Sequence, residues 1–211
     1  MLALAYKDKY ILENINEYLD QIETLDTRVE FLIAEEVQAL YKTPCRVPVL
    51  KAASLFACLT GLRFSDIIRL KWEDFETYPD GGHCIRLRTK KTVAEALNPI
   101  SKEAYQLCGE KSTGLVFKGF KKSMLQHVLP QWLQAAGITK HITFHCFRHT
   151  FATLLVSSGS EIYTVSKMLT HKNVATTQIY ADLVDEKKRQ AAEIIKINPK
   201  KKQKKKKNKR K

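Results

Sequence analysis

No run of eighteen apolar residues occurs anywhere in this chain of 211 residues, so no membrane span is expected. The opening MLALAYKDKY lacks the long apolar centre and the cleavage site of a secretory leader. Five cysteines, at positions 45, 58, 84, 108 and 146, are odd in number, scattered and never paired as Cys-x-x-Cys. That pattern argues against a disulfide framework and predicts a reduced, cytoplasmic protein in which cysteine fills the core. Internal repeats are absent as well. Acid is missing from one place above all: Lys200–Lys211 holds ten Lys or Arg and no Asp or Glu. The chain's net charge of +14 therefore leaves only +4 for everything before that tail. The body is mildly basic, not a polycation.

What is present is enough hydrophobic residue, 44%, for one good core with appendages. Tyr6 to about Ile22 has a helical pattern, and the polar stretch Glu23–Arg28 reads as a linker. Ile33–Tyr41 is a helix with an acidic start. Pro48–Thr60 is an apolar, buried helix closed by Gly61. Ser65 with Asp66 can cap a short helix through Leu70. Between Phe75 and Ile100 the period changes: Asp80-Gly-Gly82 signals a turn, and Ile85 and Leu87 alternate with Arg86 and Arg88 as in a strand. Ser101 can cap a helix through Cys108. Helical patterns follow at Ser123–Ala136, His145–Ser158, Glu161–Leu169, Val174–Leu183 and Asp185–Ile197, with Pro130 expected to kink or split the first. The lysine tail cannot form a core and is expected to be disordered.

One helical stretch carries more than a helix needs. In His145-Cys-Phe-Arg-His-Thr-Phe-Ala-Thr-Leu-Leu155, the apolar stripe is Phe147, Phe151, Leu154 and Leu155. Its first turn adds His145, Arg148 and His149, three and four residues apart and so able to lie near one another. A helix start already presents free N–H groups and a partial positive charge. Cations gathered there are unfavourable until an anion arrives. Two other segments share that logic. Thr60-Gly-Leu-Arg-Phe-Ser-Asp66 puts Arg63 between two helices, and Leu169–Tyr180 puts His171 in a loop with Tyr180 on the helix beyond.

Together these residues resemble the tyrosine recombinases, or phage-type integrases. That family carries an arginine in a TGLR-type segment, a hairpin lysine, an H-x-x-R box, a histidine and, nine residues later, a tyrosine. Arg63, Lys91, His145, Arg148, His171 and Tyr180 appear here in that order, with RHTFAT after the box and HKNVATTQIYADL around the tyrosine. Lys90 and Lys91 are adjacent, and the spacing to Pro99 favours Lys91. The sequence looks closest to mobile-element integrases of Bacteroides-like bacteria. It departs from the family at Thr170, where a glycine is usual, and at the N-terminus, where members carry a helical core-binding domain.

The resemblance implies an α+β, mainly helical catalytic domain with a small antiparallel sheet at residues 29–198. Residues 1–28 would be the tail of a core-binding domain, and 199–211 a basic tail. It implies site-specific recombination or integration by DNA strand cleavage and rejoining through a 3′-phosphotyrosine. Arg63, Arg148 and His171 would steady the phosphate, Tyr180 attack, His145 take its proton and Lys91 protonate the leaving oxygen. The partner is double-stranded DNA, no cofactor or metal is needed, and members act as tetramers, although this chain alone could be a monomer. The arginines near Tyr180 are expected to lower its pKa.

Each residue also has a plainer explanation. Tyr180 can be core, Arg63 a cap for helix carbonyls, Lys90 and Lys91 solvated hairpin charges, and His149 a structural hydrogen-bonding partner. His145, His149 and His171 could together suggest zinc. The glutamate of an H-E-x-x-H pair is absent, however, and Arg148 between the ligands would repel the ion. Two other functions keep the same residues in play: a type IB topoisomerase-like activity, and a DNA-binding regulator without catalysis.

Overall fold

A computed structural model describes residues 6–15, 18, 29–88 and 95–183, without the side chains of 88, 95 and 96. The first long helix, α1 (Ala34–Lys42), places Glu35 and Glu36 in its first turn, where the helix dipole favours acid. Glu36 accepts the Ile33 N–H at 2.8 Å and the Lys140 ammonium at 2.7 Å, while Lys140 also donates to the Phe31 carbonyl at 3.1 Å. The Leu32 N–H donates to the buried Thr150 hydroxyl at 2.9 Å. The entry of the fold is thereby fastened to residues more than a hundred positions downstream.

Helix α2 (Pro48–Thr60) starts with proline at its first turn, where the missing N–H costs nothing. It ends as the sequence predicts, on Gly61 at φ 68°. Leu50, Ala53, Phe56 and Ala57 are fully buried, so this is the central helix of the main core. The next helix, α3 (Phe64–Ile67), begins earlier than expected. Arg63 is its N-cap residue and no side chain caps it. Ser65 instead bonds Asp66 at 3.2 Å, because both already lie inside the first turn.

After a 3-10 turn at Trp72–Asp74 come β1 (Phe75–Thr77), β2 (His83–Arg88) and β3 (Glu95–Ile100). They pair antiparallel in the order β1-β2-β3, with Ile85 opposite both Phe75 and Asn98. Ser101 caps α4 (Lys102–Leu107) through its hydroxyl, which accepts the Ala104 N–H at 3.1 Å.

Of the kink or split expected at Pro130, the split does not occur: helix α5 (Ser123–Ala135) runs through it as one element. Pro130 and Gln126 both lie on its exposed face, where water can serve the carbonyl that proline leaves free. Val128, Leu129, Trp132 and Leu133 bury the opposite face and hold the helix together. Three helices complete the described fold: α6 (Phe144–Ser157), α7 (Ile162–Met168) and α8 (Ala175–Asp182). They enclose a second, smaller apolar cluster of Phe151, Ala152, Val156, Val165, Leu169 and Tyr180.

The architecture is mainly helical with one small antiparallel sheet, as the sequence implies. At the N-terminus it departs. Asp8–Glu13 forms turns and bends, not helix, with Tyr10 and Leu12 largely exposed. A short helix without a buried stripe is not stable by propensity alone. The rest of the expected Tyr6–Ile22 helix, the Asp185–Ile197 helix and the lysine tail lie outside the described residues. No helix among the described residues is long and apolar enough to cross a membrane.

Candidate active site

Arg148 sits one turn into α6 and is only 3% exposed. Its Nη1 donates to the Gly61 carbonyl at 2.6 Å and its Nη2 to the Leu169 carbonyl at 2.5 Å. One guanidinium thus ties together the three segments that the sequence singles out: the TGLR turn, the H-x-x-R box and the turn before His171. A guanidinium has five N–H groups, so these two bonds leave donors for an anion. Burial, reinforced by Arg63, draws its pKa down to about 10, against the opposing pull of Tyr180 and Asp66. It remains a cation at neutral pH.

Gly61 has two reasons to be glycine. Its φ of 68° is left-handed, and a Cβ would lie 2.5 Å from Phe151 Cδ1 and 2.8 Å from Leu169 Cδ2. The backbone carbonyl that receives Arg148 therefore rests directly on the small apolar cluster.

Helix α7 closes in a Schellman turn. The His171 N–H donates to the Ser166 carbonyl at 3.0 Å and the Thr170 N–H to the Lys167 carbonyl at 2.9 Å. That turn needs a left-handed residue at position 170, and Thr170 adopts φ 53° although it is β-branched. The departure from glycine seen in the sequence is thus a strained backbone in the structure. His171 is held by a 2.8 Å bond between its Nδ1 and the buried Thr177 hydroxyl on α8. Burial, then Arg148, Arg63 and His145, bring its pKa down to about 4, so the ring is neutral at pH 7.

Tyr180 projects from α8 into the small cluster and is 2% exposed. Its hydroxyl lies 2.9 Å from His149 Nδ1. Burial raises its pKa and outweighs the downward pull of Arg148 and Arg63, which reverses the expected direction. The expected proton acceptor, His145, is exposed and stands beside His149 with the ring centroids 4.5 Å apart. In this conformation His149, not His145, meets the tyrosine. The signal was available in the spacing: His149, Ala152 and Val156 form one stripe of α6, and the last two pack in the cluster with Tyr180. His149 is neutral, its pKa pushed down to about 4 by burial and then by His145, Arg148 and His171. Partial desolvation of its ring lowers the pKa of His145 too, with Arg148 and Arg63 adding to the shift.

Arg63 is exposed and lines an open groove of about 560 Å³ together with Arg69, Lys71, Arg86, Asp66 and Thr170. Arg63, His145, Arg148, His171 and Tyr180 come from four separate stretches of chain and converge closely enough to perturb one another. Lys90 and Lys91 lie outside the described residues, between the end of β2 and the start of β3. Among the described residues no three His, Cys, Asp or Glu side chains are grouped to hold a metal ion. The chemistry on offer is a cationic pocket with neutral imidazoles and one phenol.

Residues 30–187 match the phage integrase family. A tyrosine recombinase of Pseudothermotoga lettingae is 30% identical over 171 residues, covering 75% of this chain and 58% of that protein. Tyrosine recombinase XerD of Staphylococcus saprophyticus is 26% identical over 193 residues, covering 83% and 65%. The chain thus spans less than two thirds of the length of these two relatives. Among solved structures, XerA recombinase superposes with a TM-score of 0.64 at 24% identity over 90% of this chain and 71% of that one. The catalytic domain of bacteriophage HP1 integrase gives 0.60 at 22% identity over 79% and 95%. The chain belongs to the phage integrase family.

Proposed function

We propose that this chain cleaves and rejoins DNA strands through a 3′-phosphotyrosine, as the catalytic part of a site-specific recombinase or integrase. The observation that carries this reading is the approach of Arg63, Arg148, His145, His171 and Tyr180 to one another, close enough for their charges to interact. A phosphodiester is an anion, and attack on it concentrates charge on the non-bridging oxygens. Arginines supply planar donors that stay protonated, and preorganised donors of this type provide much of the catalysis in such reactions. Arg63 and Arg148 bind the oxygens, and His171 adds a neutral donor from Nε2.

The step is balanced within the site. Tyr180 Oη bonds to phosphorus and its proton passes to His149, whose Nδ1 already faces the hydroxyl when the ring proton is on Nε2. The P–O5′ bond breaks, and Lys91 protonates the leaving 5′ oxygen. The phosphodiester's charge offsets the field of the Arg148 cation that helps hold His149 neutral, which makes His149 a stronger base once DNA is bound. Reversal with a new 5′-hydroxyl reseals the strand without ATP, because the tyrosyl phosphate stores the bond. With 2% exposure, Tyr180 must leave its cluster to reach DNA, so α8 shifts on binding.

Residues 29–198 form the catalytic domain in this reading, 1–28 lead from a core-binding domain and 199–211 hold DNA phosphates. The partner is double-stranded DNA, the working assembly a tetramer on two duplexes, and no cofactor takes part. The setting is cytoplasmic, on a mobile element similar to those of Bacteroides-like bacteria. The test is incubation with a pool of nicked duplexes of randomised sequence, followed by denaturing electrophoresis. Covalent protein–DNA adducts with a free 5′-hydroxyl fragment support the reading. Binding with no adduct on any duplex would leave a DNA-binding regulator in its place.

A further inference from the structure

The terminal carbonyls of α7 have no partners within the helix, and each needs a donor. Backbone N–H groups of Leu169, His171 and Thr170 serve Val165, Ser166 and Lys167 at 2.9, 3.0 and 2.9 Å. Arg148 serves Leu169. The remaining one, Met168, accepts from Asn98 Nδ2 at 2.6 Å, across seventy residues of sequence. This contact joins the sheet to the turn that presents both the Arg148-bound carbonyl and His171.

Asn98 occupies an odd place for an amide. It is 8% exposed, pairs with the fully buried Ile85, and alternates with the exposed neighbours Leu97 and Pro99. Strand alternation therefore makes it a core-facing position, where sheets favour apolar side chains. A buried amide there is unfavourable unless it is bonded, and its bond goes to the α7 terminus. A second observation agrees: Arg86 and Leu87 of β2 line the same groove as Thr170 and Arg63.

We propose that Asn98 is a positioning residue that pins the end of α7 to the sheet, so that Arg148 and His171 address the scissile phosphate in one geometry. This rests on the DNA-cleaving reading above. Asn98 touches no reacting atom. Without it the Met168 carbonyl loses its donor, and Arg148 becomes the only described side chain bonded to the carbonyls of that turn. The Leu169 carbonyl and His171 can then drift together. Displacement of about 1 Å at a site of this kind costs on the order of ten- to a hundred-fold in rate.

Two measurements on the full chain test this, using Asn98→Leu with Asn98→Ala as a second variant if leucine overpacks. The first needs no activity: the imidazole of His171 is titrated by NMR in the free protein. A midpoint moved up from about 4 towards the ordinary 6.5 supports the coupling, and an unchanged titration overturns it. The second compares single-turnover adduct formation, at saturating DNA and well below the melting temperature, on a phosphodiester and on a neutral methylphosphonate at the same position. Because the role runs through charge neutralisation, the ten- to hundred-fold loss should shrink on the neutral substrate. Equal losses on both would mark Asn98 as merely structural. Failure of the wild-type chain to form any adduct would sink the functional reading, while the His171 titration would still decide the role of Asn98.

Discussion

The Tyr180 hydroxyl and His149 Nδ1 lie 2.9 Å apart, joining α8 to α6 at the edge of the small cluster that holds the tyrosine ring. A phenol with a raised pKa is paired with an imidazole kept neutral, so at pH 7 the proton rests on the tyrosine and a base waits beside it. His149→Leu is expected to slow adduct formation by about 10²-fold, the usual worth of a positioned base. His145→Leu should act instead on phosphate binding and raise the DNA concentration needed for half-maximal rate. Rapid-quench assays on both variants measure this. A large loss of chemistry in the His145 variant alone would return the base role to His145.

The left-handed Thr170 offers a gain in stability. A non-glycine residue at φ 53° is disfavoured by about 1 kcal/mol, so Thr170→Gly should raise the denaturation free energy by roughly that amount. Gly61→Ala should do the opposite and cost about 2 kcal/mol or more, since strain adds to overlap with Phe151 and Leu169. Urea titrations of both variants test the pair. A stabilised Gly61→Ala would mean the turn before Arg63 is built otherwise.

Acid should weaken the fold through its histidines. His149 and His171 titrate near 4 in the folded chain instead of near 6.5. As pH falls through about 6.5 the unfolded chain takes up protons that the folded chain refuses. The contribution of these neutral rings is whole above that value and lost progressively down to about 4. Both rings are half-buried, so screening by solvent trims the loss to about 1 kcal/mol each. Denaturation between pH 7 and pH 4 should show a shallower decline for a His149→Gln, His171→Gln double variant. Identical declines would contradict the assignment.

Much of this was legible in the sequence because the signals were local. The Gly61 stop, the Ser101 cap, the Asp80-Gly-Gly82 turn and the helical stripe of His145–Leu155 each depend on a few neighbouring residues, and each stands in the structure. The direction of the Tyr180 shift was not legible, because the arginines announce themselves in the sequence while burial does not. His149 was legible as a hydrogen-bonding residue, and its stripe with Ala152 and Val156 set its side of α6, but its partner thirty-one residues away was not. Asn98 escaped altogether, because its partner lies seventy residues away and no spacing rule reaches that far.

Affinity for DNA should be strongly salt-dependent, and much of that dependence should come from Lys200–Lys211, which carries ten of the cations. Each phosphate neutralised adds about 0.9 to the slope of log affinity against log salt on duplex DNA. Deleting the tail should flatten the slope and leave adduct formation intact, since no candidate catalytic residue follows Tyr180. Binding isotherms on unrelated duplexes across a salt series would show it. Tight, sequence-selective binding by the tailless chain would contradict the expectation.

The decisive measurement is to locate the DNA on the protein. The chain is incubated with the randomised nicked duplexes in excess EDTA, adducts are purified under denaturing conditions, and the modified peptide is found by mass spectrometry. The cationic pocket predicts a nucleotide linked by its 3′-phosphate to Tyr180, formed without divalent metal and absent from Tyr180→Phe. That variant removes one oxygen and should bind DNA nearly as well as the parent. DNA attached to another residue, an adduct that persists in Tyr180→Phe, or formation only when magnesium or zinc is restored would contradict it.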